Sequence, residues 1–174
     1  MDDITLVNEC VKGNARAQRM LFDKFAGKMM TVCLRYAKNT EQAEDVLQDG
    51  FVKVFVKLSD FKKEGSLEGW IRRIMVNTAL DQIRKEVKFK VNLDIEDVGY
   101  KIENNAFIAE QLMAEDLMKL VRAMPDGYRV VFNMFAIEGY SHAEIAETLG
   151  VTENTSKSQY SRARAYLRER LEKK

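Results

Sequence analysis

The near absence of proline limits the fold of this chain more than any other feature. Pro125 is the single proline among 174 residues, and no run of alternating β-branched residues marks a half-buried strand. Apolar residues recur instead at the three- and four-residue spacing of amphipathic helices. The sequence therefore predicts an all-α fold.

Breaks in the helical pattern predict two helical domains joined by an extended linker. The first domain, 1–87, contains four predicted helices, at about 5–12, 15–36, 41–58 and 66–87. Over 88–106 the apolar residues lose their periodicity and acidic residues outnumber basic ones, which is typical of an extended connection. The second domain, 107–174, is predicted to begin with a helix near Phe107. That helix stops at a proline-glycine signal, 124–127, and another follows at about 128–137.

Composition limits the class of protein. The formal net charge is +1 at pH 7, which argues against a simple nucleic-acid-coating protein. Basic residues are concentrated over 62–85 and 157–170, whereas acidic residues are concentrated over 41–49 and 94–103. This segregation predicts two DNA-facing surfaces and at least one acidic surface for another partner.

The sequence lacks the patterns of enzymes, metal sites and membrane proteins. Cys10 and Cys33 are far apart and form no CxxC pair, so we expect buried, reduced thiols and no metal or other cofactor. His142, the one histidine, has no nucleophile or acid patterned around it, so an enzyme is not expected. No stretch approaches the roughly 20 apolar residues of a membrane span, and the acidic N-terminus does not resemble a signal peptide. We therefore expect a cytoplasmic protein without membrane insertion.

The segment 138–170 has the pattern of a helix-turn-helix. Ser141 and Glu144 have the spacing of a capping box at the start of a helix. Gly150 is placed to end that helix in a left-handed conformation, and Thr152 is placed to cap the next one. Such a unit inserts its second helix into the major groove of DNA.

The second helix of this unit has two different sides. One side is apolar, and the opposite side carries hydroxyls and cations, including Lys157, Ser158, Ser161 and Arg162. Such a polar side is suited to base edges and phosphates. The alternative is a solvated amphipathic helix, which the capping and turn signals make the less favoured interpretation.

The third predicted helix has an outward-facing stripe as well as an inward apolar one. Its members combine carboxylates, an amide and two valines at helical spacing: Asp45, Gln48, Asp49, Val52 and Val56. Valines framed by polar groups indicate a protein-docking surface. A solvated face with incidental valines explains the pattern equally well, and the residues alone do not decide between the two.

The fourth predicted helix and the loop before it indicate contact with single-stranded DNA. They offer aromatic, cationic and amide groups, at Phe61, Lys62, Lys63, Trp70, Arg73 and Asn77. Aromatic rings stack on unpaired bases, and cations follow the phosphates. The alternative is that Trp70 is half-buried packing. For Asp81 and Arg84, on the same stripe, we favour an ion pair within the helix.

These motifs occur in the order found in group IV sigma factors, the extracytoplasmic-function branch of the sigma-70 family. Segment 45–51, DVLQDGF, resembles region 2.2, the polymerase-docking helix, and 70–77, WIRRIMVN, resembles regions 2.3 and 2.4. Segments 124–129, MPDGYR, and 138–141, EGYS, resemble region 4, and 155–164, TSKSQYSRAR, resembles its recognition helix. The resemblance covers nearly the whole chain.

Two positions depart from the family pattern. Ser156 stands where many members have valine, which resembles a subset typical of Bacteroidota. Gly50 replaces a more usual acidic or small polar residue, and its low helix propensity predicts a softer docking helix.

The resemblance implies a promoter-specificity subunit of RNA polymerase that performs no chemistry itself. The face from Asp45 to Val56 would bind the β′ coiled coil of the core enzyme. The −10 element would contact Phe61, Lys62, Lys63, Trp70, Arg72, Arg73 and Asn77. The −35 element would contact Ser141, Thr155, Lys157, Ser158, Ser161, Arg162 and Arg164. The other implied partners are the β flap of the core enzyme and an anti-sigma factor, and the acidic linker would follow the RNA exit path.

The alternative is a helix-turn-helix regulator that never engages RNA polymerase. It predicts palindromic half-sites and tight DNA binding by the free protein. A sigma factor predicts one asymmetric site and function only together with the core enzyme.

Overall fold

The structure, a computed structural model, describes residues 1–86 and 114–173. All regular secondary structure in these ranges is helical, which confirms the all-α prediction. The chain forms two compact units, Met1–Gln82 and Ile83–Lys174. The predicted linker over 88–106 and the predicted helix start near Phe107 lie outside the described residues.

The N-terminal unit is built on four helices. They are α1 (Asp3–Val11), α2 (Ala15–Tyr36), α3 (Thr40–Lys57) and α4 (Leu67–Glu86), with a single 3₁₀ turn, Leu58–Asp60, after α3. The bounds of α2 match the prediction. Helix α1 begins two residues earlier than predicted because the Asp2 carboxylate accepts a hydrogen bond from Thr5 N–H at 2.7 Å.

The core of this unit forms where α2, α3 and α4 face one another. Leu21, Met29, Val54, Ile71 and Met75 have no exposed surface. An aromatic contact joins α2 to α3, since the ring centroids of Phe22 and Phe51 are 4.7 Å apart. Burial of these side chains is the main contribution to the stability of the unit.

Gly50 of α3 lies against the side chain of Met75 of α4. It is buried, and a β-carbon at this position would lie 2.3 Å from Met75 Sδ. Any larger residue at this position would have to displace the Met75 side chain. Packing against α4 therefore gives a reason for this glycine, in addition to its low helix propensity.

The C-terminal unit is also helical throughout its described part. Its elements are α5 (Ala114–Ala123), α6 (Asp126–Phe132), a π-helix (Asn133–Ile137), α7 (His142–Leu149) and α8 (Glu153–Glu172). Pro125 ends α5 as predicted, but the rest of the predicted stop is wrong, because Gly127 is buried inside the first turn of α6. The predicted helix 128–137 therefore starts two residues earlier and changes to π geometry halfway.

Helices α5, α6 and α8 pack around the core of this unit. Val121, Met124, Ala163 and Leu167 are buried there, against partly buried neighbours on the same helices. Arg129 of α6 is 2% exposed, and its guanidinium donates to Asp126 Oδ1 at 2.6 Å and to the Met124 carbonyl at 3.2 Å. A buried charge of this kind is tolerated because it is paired and hydrogen-bonded.

None of the helices described by the structure combines the length and the apolar character that crossing a membrane requires.

Candidate nucleic-acid and protein-docking surfaces

The C-terminal unit contains a complete helix-turn-helix in α7 and α8. Ser141 Oγ accepts from Glu144 N–H at 3.2 Å, and Glu144 Oε2 accepts from Ser141 N–H at 2.8 Å. Gly150 has the left-handed conformation, with φ 69° and ψ 37°, and Thr152 Oγ1 accepts from Thr155 N–H at 3.1 Å. The predicted capping box, glycine stop and second cap are all confirmed.

Helix α8 has the two sides that its sequence predicts. Ser156, Gln159, Ala163 and Leu167 are its buried residues. On the other sides, Lys157 is exposed, and Ser158, Ser161, Arg162 and Arg164 are partly exposed. The Arg164 guanidinium lies 5.9 Å from the Tyr160 ring centroid, which restrains this cation along the helix surface.

Two predicted DNA contacts also have structural tasks. The Ser141 hydroxyl caps α7, and the Thr155 hydroxyl lies 2.9 Å from the Thr152 hydroxyl at the start of α8. Both side chains remain at the N-terminal ends of the helix-turn-helix, where recognition helices approach bases.

The structure adds Asn154 to the candidate residues of this surface. It is exposed in the first turn of α8, directly after the Thr152 cap and Glu153. N-terminal residues of a recognition helix reach base edges, and an asparagine amide can bind adenine with two hydrogen bonds. The Thr152 cap was the sequence signal that would have pointed to this position.

All five residues predicted for protein docking lie on the exposed side of α3, at Asp45, Gln48, Asp49, Val52 and Val56. Val52 is 62% exposed and Val56 is 74% exposed, so neither valine serves the core. The opposite side buries Ala43, Val46, Gly50 and Val54. This stripe, which we call the α3 face, is therefore exposed and is not used by the core of the unit.

The predicted single-strand surface is divided between one loop and the first half of α4. Phe61 is only 9% exposed, and its ring centroid is 5.6 Å from that of Trp70. Phe61 is therefore placed to support Trp70, while the partly exposed indole offers a surface for stacking. Arg73 and Asn77 are exposed on α4 beyond the indole.

Backbone geometry fixes the lysine-bearing loop. Lys63 has φ 62° and Gly65 has φ 94°, so the chain turns sharply between Phe61 and α4. Ser66 Oγ accepts from Gly69 N–H at 3.0 Å and starts the helix. The turn leaves Lys62 and Lys63 exposed beside the N-terminal end of α4.

Charges near this surface are paired within the N-terminal unit. Arg72 lies 3.8 Å from Glu68, and Lys28 lies 2.6 Å from the same carboxylate. Asp81 lies 3.4 Å from Lys53 and so joins α4 to α3. A cavity of about 570 Å³ is lined by Lys28, Glu68 and Arg72 and by residues that include Asp3 and Lys24, which form a second ion pair.

Burial changes the proton affinity of the two thiols and of the one imidazole. It raises the pKa of the Cys33 thiol to about 12 and also raises the pKa of Cys10. It lowers the pKa of His142, where Lys157 adds to the shift and Glu153 opposes it. Within the described ranges, no three His, Cys, Asp or Glu side chains are grouped to hold a metal ion.

Both units match one protein family. The family described as Sigma-70 region 2 matches residues 21–89, and the family described as Sigma-70, region 4 matches residues 114–167. The chain belongs to the extracytoplasmic-function sigma factors of the sigma-70 family. In this sigma factor the α3 face and the loop–α4 surface lie in region 2, and the helix-turn-helix lies in region 4.

Curated relatives extend over the length of the sigma factor. It is 28% identical over 177 aligned positions to the ECF RNA polymerase sigma factor SigW of Bacillus subtilis, covering 95% of this chain and 94% of SigW. It is 29% identical over 165 positions to the sigma factor SigM of Mycobacterium tuberculosis H37Rv, covering 95% of this chain and 82% of SigM. Region 2 and region 4 therefore occur together in relatives of similar length.

Solved structures of two proteins share the fold. CnrH, solved with the cytosolic domain of CnrY, matches with a TM-score of 0.54 and 24% identity over 98% of this chain and 97% of CnrH. The sigma factor RpoE of Bartonella quintana, solved with the anti-sigma factor NepR, matches with a TM-score of 0.57 and 22% identity over 88% of this chain and 96% of RpoE.

Proposed function

We propose that this sigma factor is the subunit that binds core RNA polymerase, recognises the −10 and −35 elements and stabilises the opened strand. The observation that carries the proposal is the combination of an exposed α3 face in region 2 with a helix-turn-helix in region 4 of one chain. The family match favours this function over a regulator that never engages polymerase.

The α3 face is the proposed contact with the β′ coiled coil of the core enzyme. Asp45 and Asp49 supply negative charge, and Val52 and Val56 supply apolar surface that the core of the unit does not use. A surface with an apolar centre and a charged rim suits a specific protein interface. Its charges steer the partner, and burial of the valines supplies affinity.

The loop and α4 are the proposed −10 surface. Trp70 offers a stacking face to an unpaired base, with Phe61 behind it. Lys62, Lys63 and Arg73 attract the phosphates, and Asn77 offers hydrogen bonds to a base. Arg72 is paired with Glu68, so we propose that it holds the start of α4 in place beside the −10 strand.

The exposed sides of α8 are the proposed −35 surface. Lys157 and Arg162 combine positive charge with the reach that phosphates and guanine edges require. The remaining members are hydroxyls, cations and one amide: Ser141, Asn154, Thr155, Ser158, Ser161 and Arg164. The β flap of the core enzyme is the proposed protein contact of this unit.

In the proposed mechanism, binding energy drives strand opening, and the sigma factor makes or breaks no covalent bond. A protein that binds the opened strand better than the duplex shifts the equilibrium towards opening by that difference in affinity. The proposed site of action is the cytoplasm, where the core enzyme transcribes. Because CnrH and RpoE were solved with partner proteins, and NepR is an anti-sigma factor, we also propose an anti-sigma partner.

A titration of labelled protein against core RNA polymerase from the same bacterium tests the proposal. We expect tight, stoichiometric binding that Asp49→Arg weakens at least about tenfold, because the substitution reverses a charge in the middle of the α3 face. The matched control is Asp23→Arg, the same reversal at an exposed position of α2. Unchanged affinity in a folded Asp49→Arg variant would exclude the α3 face, and no binding by the unaltered chain would exclude the function.

A further inference from the structure

A polar contact joins the two helices of the helix-turn-helix. His142, the first residue of α7, has Nδ1 2.8 Å from Ser156 Oγ of α8. Ser156 has no exposed surface and His142 is partly buried. The contact joins residues fourteen positions apart, on opposite sides of the Gly150 turn.

Aromatic rings hold the imidazole from two further directions. The Phe135 ring lies parallel to it, with centroids 4.3 Å apart and an interplanar angle of 13°. The Tyr160 centroid lies 6.0 Å away at 59°. Since Phe135 belongs to the π-helix and Tyr160 and Ser156 belong to α8, two elements besides α7 fix the orientation of this side chain.

We propose that His142 and Ser156 form a strut that sets the angle between α7 and α8 and thereby contributes to −35 specificity. This inference rests on the proposed function for its consequence in transcription. His142 is a positioning residue, because it acts on DNA contacts through α8.

The geometry explains why this contact can set an angle. Ile145 and Ala146 of α7 are buried as well, but apolar contacts resist sliding only weakly because they have no preferred direction. A hydrogen bond prefers a narrow range of distances and angles. Ser156 is flanked by Thr155 and Lys157, so a rotation of α8 that breaks the contact also turns its proposed DNA-facing residues.

The same contact gives the buried Ser156 hydroxyl a hydrogen-bond partner. A buried hydroxyl without a partner loses its hydrogen bond to water and gains nothing in return. We therefore treat His142 and Ser156 as one pair.

Three substitutions separate the parts of the strut. His142→Phe keeps an aromatic ring against Phe135 and removes the hydrogen bond, whereas His142→Asn keeps a polar atom near the position of Nδ1 and removes the ring. Ser156→Ala removes the other partner. The matched control is Thr148→Ala, which removes a hydroxyl that donates within α7, to the Glu144 carbonyl at 2.8 Å.

The first measurement needs no DNA. Residual dipolar couplings of backbone amides report the angle between α7 and α8 in the full chain. We expect this angle to change in His142→Phe and in Ser156→Ala, and to be kept in His142→Asn and in Thr148→Ala. An unchanged angle in His142→Phe would overturn the strut whatever the protein does in transcription.

The second measurement uses holoenzyme and a promoter selected from random duplexes with that holoenzyme. The readout is transcription from this promoter divided by transcription after its −35 element is replaced. We expect the ratio to fall about tenfold in His142→Phe, the loss that one mismatched base pair produces. His142→Asn should keep the ratio of the unaltered chain. The double variant His142→Phe with Ser156→Ala should lower the ratio no further than either single substitution does.

The two proposals fail in different ways. A ratio that falls in His142→Phe and in Ser156→Ala, while every variant still binds the core enzyme, supports the strut within the proposed function. An altered angle with an unchanged ratio would overturn the contribution to specificity and leave the sigma function intact. Absence of core binding by the unaltered chain would overturn the sigma function, while the couplings would still decide whether the strut exists.

Discussion

Gly50 shows what one missing side chain does for this fold. Its backbone packs against Met75, and a β-carbon there would lie 2.3 Å from Met75 Sδ. Met75 is completely buried, so its flexible side chain has little room to move. We expect overpacking in Gly50→Ala to lower the free energy of unfolding by about 1–3 kcal/mol. The higher helix propensity of alanine offsets part of this loss. Urea denaturation measures the net change.

A second substitution tests the cause. Met75→Val removes the atom that the new β-carbon would meet, at the cost of a small cavity. The combined variant should lose less stability than the sum of the two single losses. Additive losses would mean that the contact between Gly50 and Met75 is not what limits α3 and α4.

His142 should make the stability of the C-terminal unit depend on pH. Burial lowers its pKa in the folded state, so as the pH falls the unfolded chain takes up the proton first. The stability contributed by neutral His142 is fully present above the ordinary pKa of 6.5 and is lost as the pH falls through the lowered value. We expect the free energy of unfolding to drop between about pH 7 and pH 5.

The control for this prediction is His142→Asn, which does not titrate. Thermal or urea unfolding at matched pH values should show a smaller drop in the variant, and the difference between the two curves isolates the imidazole from carboxylates that titrate lower. Identical curves would contradict the prediction.

Arg162 is the sharpest test of base reading on α8. If its guanidinium contacts a base edge, Arg162→Ala should weaken binding to the preferred −35 base by about 1–3 kcal/mol. Transcription should then fall on promoters with that base and hardly change on others. Lys173→Ala, at an exposed site near the end of α8, is the control. An equal reduction on all promoters would make Arg162 a phosphate contact.

Residue patterns predicted exposure well where one helix decides it. The five residues of the α3 face and Lys157 of α8 follow from helical spacing alone. Helical spacing did not predict the packing of Phe61 against Trp70 or of Gly50 against Met75. Each of these contacts joins side chains that come together only in the folded unit.

At the scale of elements, side-chain caps decide where helices begin. Ser141→Ala should lower the stability of the C-terminal unit by about 0.5–2 kcal/mol, because the Glu144 N–H loses its acceptor. Ser141→Asn should retain most of the stability, since asparagine is an equally good cap. Denaturation curves followed by circular dichroism measure both effects.

The same pair of variants separates capping from DNA contact. If the Ser141 hydroxyl serves only as a cap, Ser141→Asn should keep −35 use along with stability. Loss of −35 use in a stable Ser141→Asn variant would show that the hydroxyl itself contacts DNA.

Local signals predicted most helices and failed at one. Helix α2 has the predicted bounds, and α7 has the predicted caps, because each is fixed by residues close in sequence. The start of α6 and the π-helix were missed, because Gly127 is enclosed by packing and the π hydrogen bond from Glu138 N–H to the Asn133 carbonyl has no sequence signature.

At the scale of the whole molecule, each unit has a hydrophobic core of its own. We therefore expect a fragment of residues 1–86 to keep its helical signal and to unfold in one cooperative urea transition. The full chain, measured alongside, gives the reference transition. A fragment without a cooperative transition would show that α4 and its neighbours depend on residues beyond 86.

Charge segregation points to candidate DNA-facing surfaces, whereas net charge does not. With a formal charge of +1, the chain as a whole gives no hint of DNA binding. The grouping of cations around α4 and along α8 does, and it could be read from the sequence because both helices were predictable. The pairing of Lys28 with Glu68 could not be predicted in this way, because the two residues lie forty positions apart and meet only in the fold.

The π-helix has a consequence for how this chain can vary. A π-helix is an α-helix with one extra residue in the turn. Deleting a single residue from Asn133–Ile137, such as exposed Ala136, would turn the rest of the helix by about 100°. The imidazole would then lose its stacked ring although no recognition residue had been replaced. A change of chain length in this stretch would therefore reorient the helix-turn-helix without replacing any of its side chains.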